Sequence, residues 1–205
     1  MTRILLVMLF LLPSIRGAVA DEVMPEFASV GGWSVRVDTS VGYGCFLVAL
    51  YEEGSYLRIG LNPEDSKLHV FFGDDHWKSI EHGKKYDIAI RFGNESPWTA
   101  TARGFSFDPP EDEPVLRVDM PLEADSLTLF FKEFMEERSV GVYYDDDRIL
   151  LLSLEDSSQA TSKLFECQEA MAALNSDPAS EGKPTSENDP FIKSKYRDAK
   201  DPFNR

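Results

Sequence analysis

The stretch Tyr86-Asp87-Ile88-Ala89-Ile90-Arg91-Phe92 alternates strictly: Tyr86, Ile88, Ile90 and Phe92 share one face, while Asp87 and Arg91 share the other. A period of two belongs to a half-buried strand and excludes an amphipathic helix over the same residues. Gly93-Asn-Glu-Ser-Pro97 breaks the pattern, and it resumes over residues 98–103. Upstream, Trp33-Ser-Val-Arg-Val-Asp38 sets Trp33, Val35 and Val37 on one face, and residues 21–32 before it read as a lead-in. Residues 45–51 are almost continuously apolar, as in a strand covered on both faces. Acidic or Asn-Pro turns then lead into strands over 56–61 and 68–72. The proline- and acid-rich residues 108–114 must be an exposed loop before a strand over 115–120.

Two segments change to helical period. Asp125 is placed to cap a helix near 126–136 that carries Leu127, Phe130, Phe131, Phe134 and Met135 on one side. Asp156 and Gln159 resemble a capping box for a second helix near 157–174, with Ala160, Leu164, Cys167, Met171 and Leu174 forming its stripe. Between them, residues 140–144, the turn Asp145-Asp146-Asp147 and residues 148–154 make a hairpin like the earlier one around Glu52-Glu53-Gly54. The likeness fits either a duplicated sheet or two ordinary hairpins with acidic turns. The expected fold is mainly β: an antiparallel β-sandwich or partly open barrel of about 8–10 strands, with both helices packed on the sheet.

The N-terminus carries a different signal. Arg3, the apolar run over 4–12 and Ala18-Val19-Ala20 before Asp21 form the three parts of a secretory leader, giving a signal peptide over 1–20. The run is far shorter than the roughly 20 residues of a membrane-spanning helix, so the mature chain is expected to contain no span. Two cysteines in an exported chain allow one intramolecular pairing, Cys45 with Cys167, and their separation does not suit zinc or a redox pair. That pairing would pin the last helix to the strand beginning at Cys45. Residues 21–174 then make one β-rich domain, followed by a tail over 175–205 whose composition predicts disorder. In that tail Asp189-Pro190-Phe191-Ile-Lys193 recurs as Asp201-Pro202-Phe203-Asn-Arg205, a repeated short motif able to engage a partner bivalently.

Formal charge is −15, and losing Arg3 and Arg16 with the leader takes it to −17. Such a domain repels phosphate backbones, which makes nucleic acid a poor partner. No Gly-x-Ser-x-Gly, phosphate-loop or dinucleotide motif is present, and no cofactor is expected. His69 stands opposite in phase to Leu68 and Phe72, as a strand residue facing either solvent or the sheet's second layer. His76 and His82, with Asp74 and Asp75, are the candidate metal ligands, in a polar loop without the tight spacing metal sites use. The acidic turn at 145–147 lacks the alternating ligands and glycine of a calcium loop. Trp33, Tyr43, Tyr51, Tyr56, Trp77 and Trp98 suit core packing or a ligand groove.

The segments Gly32-Trp-Ser-Val, Gly44-Cys-Phe-Leu, Tyr51-Glu-Glu-Gly, Trp77-Lys-Ser-Ile and Gly83-Lys-Lys-Tyr, with the ending over 154–167, resemble a group of small exported proteins of α-proteobacteria. The architecture is more distantly similar to the invasion-associated locus B family of periplasmic proteins. The resemblance implies a periplasmic or secreted location and, from the second family, a role in host contact; it supplies no catalytic residue. The expected function is non-enzymatic binding of a protein, peptide or envelope component. The alternatives are a carboxylate- or metal-dependent hydrolase using the loop over 74–83, and a structural or stress-related envelope protein.

Overall fold

The computed structural model describes residues 24–52, 54–106, 114–122 and 124–176. The leader over 1–20 and the tail motif Asp189, Pro190, Phe191, Asp201, Pro202 and Phe203 lie outside the described residues. The strands are β1 (Glu26–Val30), β2 (Trp33–Asp38), β3 (Gly44–Leu50), β4 (Tyr56–Asn62), β5 (Lys67–Gly73), β6 (Lys85–Phe92), β7 (Trp98–Phe105), β8 (Val115–Pro121), β9 (Ser139–Tyr144) and β10 (Asp147–Ser153). The helices are α1 (Ala124–Glu136), between β8 and β9, and α2 (Ser157–Ser176), after β10.

All ten strands join one antiparallel sheet in the order β1-β2-β3-β4-β5-β8-β7-β6-β9-β10, which is not closed into a barrel. This is the mainly antiparallel β fold with two helices that the sequence predicts, built as a single curled sheet left open between β1 and β10. Its two halves are tied where Trp33 Nε1 donates to the Glu155 carbonyl at 2.8 Å and the Tyr51 hydroxyl donates to the Ser153 carbonyl at 2.6 Å. The concave face holds the expected apolar set: Trp33, Val35, Leu47, Ile59, Val70, Ile88 and Ile90 are all buried there. Helix α1 inserts Phe130 and Phe134 against Phe92, and Phe134 meets Trp33 edge to face at 5.5 Å. Helix α2 covers β1 to β3 and packs on α1 through Phe131 and Phe165. Both helices sit on the sheet because their apolar stripes would otherwise face water.

The Cys45–Cys167 disulfide is present, with Cα atoms 6.1 Å apart and both residues fully buried. Beside it the Cys45 backbone N–H donates to Gln168 Oε1, so β3 and α2 are tied twice. The hairpin at Asp145-Asp146 closes with both residues at positive φ (49° and 68°), the two-residue turn that matches strand twist.

Three expectations need correction. Residues 21–32 are not all lead-in, because Glu26–Val30 forms edge strand β1; a register shift between Glu26 and Ala28 breaks its alternation, and Phe27 stays 39 % exposed. Leu174 leaves the buried stripe of α2, at 62 % exposure, since the helix runs past the sheet after its disulfide anchor. Asp156 does not make the expected capping box. Its φ is 62°, Gln159 Nε2 reaches its side chain instead of its backbone, and its carboxylate lies over Gly31, where a Cβ would meet Oδ2 at 2.2 Å. Gly31 is itself at positive φ, so the β1–β2 turn admits glycine for two independent reasons.

Candidate functional site on the outer face of the sheet

Alternation that sends Leu57, Ile59, Leu68, Val70 and Phe72 into the core sends Arg58, Gly60, His69 and Phe71 to the opposite face. Register then lines residues up across strands. Arg58 of β4 stands opposite Phe71 of β5, which stands opposite Arg117 of β8. The guanidinium of Arg58 lies 3.8 Å from the Phe46 ring centroid and 5.5 Å from that of Phe71. Arg117 lies 5.9 Å from Phe71 and 5.4 Å from Phe105. Cations and rings thus alternate across five strands, each contact within cation–π range.

Carboxylates hold the cations in place. Arg58 Nη2 donates to Asp38 Oδ2 at 2.7 Å, and Asp38 also accepts from the Ser40 backbone N–H. Burial draws the Arg58 guanidinium below its ordinary value, and the bond to Asp38 opposes that change. Arg117 Nε donates to Asp119 Oδ1 at 2.6 Å, and His69 Nδ1 lies 2.7 Å from the same oxygen. Burial pushes the Asp119 carboxyl up, but the hydrogen bonds and charges of His69 and Arg117 outweigh it and hold the group at about 2. His69 Nδ1 also lies 3.2 Å from Arg117 Nη2, so the imidazole, the guanidinium and the carboxylate meet at one point. His69 Nε2 is left 3.4 Å from both Asn62 Nδ2 and Asp65 Oδ2.

One position in this face is empty of side chain. The row Phe46, Gly60, His69 crosses β3, β4 and β5, and Gly60 sits between two bulky neighbours. A glycine inside a strand weakens it and marks a place where something approaches the backbone closely. Here it floors a cavity of about 370 Å³ walled by Phe46, Arg58, Asn62, His69 and Phe71. A shallower groove of about 590 Å³ over β1 to β4 adjoins it, with Met24, Phe46 and Arg58 as shared wall. A larger hollow of about 700 Å³, lined by Asp87, Arg91, Tyr143, Asp145 and Asp146, is more open and carries no comparable network.

The candidate metal ligands are assigned separate tasks. His76 is 81 % exposed, with Nδ1 2.9 Å from Asp74 Oδ1, and Asp74 also accepts from Ser55 Oγ. The Asp75 carboxylate lies over Gly54, and the His82 ring faces Phe105 at 6.0 Å. Among the described residues, no group of three or more His, Cys, Asp or Glu is gathered to hold a metal ion. The aromatics divide as well: Trp33 is buried, Tyr51, Trp77 and Trp98 pack against the core, Tyr56 lies over Gly73 on the outer face, and Tyr43 is exposed.

Arg58, Arg117, Asp38 and Asp119 escaped notice in the sequence. The triplets Arg58-Ile-Gly60, His69-Val-Phe71 and Arg117-Val-Asp119 do signal shared faces, because period two puts their outer members together. Nothing in them says that β8, far along the chain, lies beside β5. No family model, no curated protein and no solved structure matches this chain, so what the groove does must be read from its own residues.

Proposed function

We propose that this is an exported, periplasmic, non-enzymatic binding domain whose outer-face groove takes an extended peptide segment bearing a carboxylate and an aromatic side chain. The observation that supports it most is the arginine–aromatic ladder beside a glycine-floored cavity, on a domain that is otherwise strongly acidic. The strands around the groove carry Arg36, Arg58, Lys67, Arg103 and Arg117, together with the carboxylates Glu26, Asp38 and Asp119. Guanidinium groups recognise carboxylates in fixed geometry, ring faces receive an aromatic side chain, and a cavity of this size is in the range of ligand pockets. The Cys45–Cys167 disulfide and the leader-like N-terminus support the oxidising compartment. Among the described residues no helix is long and apolar enough to cross a membrane.

A hydrolase reading would use His69, oriented by Asp119 as catalytic histidines are. The polar partners of its ring, however, are Asp119, Arg117, Asn62 and Asp65, and none is a hydroxyl or thiol nucleophile. Selection from a displayed library of random peptides tests the proposal. Sequences enriched in Asp or Glu next to an aromatic residue are expected, with binding lost on Arg117→Gln and on Gly60→Val, which fills the floor. Equal recovery on the wild type and on both variants, each confirmed folded, would overturn it.

A further inference from the structure

We infer that the groove is occupied intramolecularly by the chain's own C-terminal Asp-Pro-Phe motif, with the phenyl ring of Phe191 or Phe203 over Gly60 and the preceding aspartate at the arginines. The inference rests on the peptide-binding reading of the groove and names its resident ligand. Three observations support it. The first is chemical fit: each copy reads acid, proline, aromatic, any residue, base, as Asp189 to Lys193 and Asp201 to Arg205. The groove offers the complement, with Arg58 and Arg117 along the face and Asp65 at its rim, 3.4 Å from His69. Proline before the aromatic favours the extended backbone that such a groove accepts.

The second is reach. Cys167 has its Cα 6.1 Å from that of Cys45, which borders the cavity. Helix α2 continues nine residues to Ser176, about 14 Å at 1.5 Å per residue. From Ser176 to Asp189 is thirteen residues, which unconstrained span about 18–22 Å root mean square and at full extension about 45 Å. Spans of this length let either copy of the motif pass from α2, on the core side, around the sheet to its outer face. A tether of this length gives an effective concentration on the order of millimolar, so even weak contacts keep the groove filled.

The third is the missing side chain in the row itself. Gly60 carries none between Phe46 and His69: a Cβ there would meet the Phe46 Cβ at 3.2 Å, and the space beyond it belongs to the cavity. An inserted phenyl ring would complete the row as a cross-strand aromatic neighbour does.

The test compares the full mature chain with its Phe191→Ala/Phe203→Ala variant by NMR, reading the backbone amides of Phe46, Gly60, His69 and Phe71 and the side-chain Nε–H of Arg58 and Arg117. Both proteins are first shown to be folded by matching far-ultraviolet circular dichroism and melting midpoints. Shifts at these groups on mutation, unchanged on ten-fold dilution, are the expected result. A synthetic peptide of residues 186–205 should bind the variant about ten-fold or more tighter than the wild type, because in the wild type it must displace a tethered competitor. Identical groove spectra in the two proteins would overturn the inference, and if library-selected peptides still bind, the groove reading survives alone. Differences that vanish on dilution would assign the occupant to a second copy and equally overturn it.

Discussion

Breaking the Cys45–Cys167 bond should cost this domain a large part of its stability, and the cost follows from its position. The bridge closes a loop of sequence separation 122. In the chain-entropy treatment, a loop of that length removes about 16 cal/mol/K from the unfolded ensemble, or about 5 kcal/mol at 25 °C. For a chain of this size each kcal/mol moves the melting point by about 2–4 °C, so reduction should lower it by about 10–20 °C. Non-covalent ties between β3 and α2, including Cys45 N–H to Gln168, remain after reduction and keep the fold assembled. Urea titrations of the oxidised protein, the reduced protein and Cys45→Ala/Cys167→Ala would measure the effect. The reduced and doubly substituted forms should show lower midpoints and steeper slopes, because an uncrosslinked chain exposes more surface on unfolding. Midpoints coinciding with the oxidised wild type, equivalent to less than about 1 kcal/mol, would refute the assignment of the bridge as the main tie of α2.

Other perturbations probe separate parts of the structure. Asp119 is held at about 2, below its ordinary 3.8, so its contribution is fully present above about pH 4 and is lost as pH falls through 2. Asp119→Asn should therefore destabilise by about 1 kcal/mol at pH 7, after discounting for its 30 % exposure, with the difference from wild type shrinking below pH 4 in urea titrations. Phe134→Ala should cost about 3–5 kcal/mol and reduce the near-ultraviolet circular dichroism of Trp33, since the ring is fully buried between Trp33 and Phe92. Mass spectrometry of protein recovered from the periplasm of an expressing bacterium should give a chain beginning at Asp21, whereas retention of residues 1–20 would remove the leader from the reading.

Where local pattern and tertiary environment agreed, the sequence was a sufficient guide. The strand over 86–92 and the helix stripe of Phe130, Phe131 and Phe134 were readable from period alone, whereas period put His69 on the second face without saying that its neighbours bury it there to 8 %. The failures lie where burial is one-sided or incomplete. Edge strand β1 has a neighbour on one side only and carries a bulge, so its pattern is diluted, and Leu174 keeps helical phase after the sheet it would pack on has ended. Asp156 took a left-handed backbone that the letters Asp-Ser-Ser-Gln do not announce.

The amino-acid sequence by itself determined the β-rich class, the two helices, the pairing of two cysteines and the excess of negative charge, because each depends on local periodicity or on composition. Only the tertiary structure decided that five strands would bring Phe46, Arg58, Phe71, Arg117 and Phe105 into one chain of cation–ring contacts, beside the row in which Gly60 stands between Phe46 and His69. The physical reason is that side-chain direction along a strand is set by neighbours in sequence, whereas the adjacency of β5 and β8 is set by which long-range register buries the most apolar surface on the concave face.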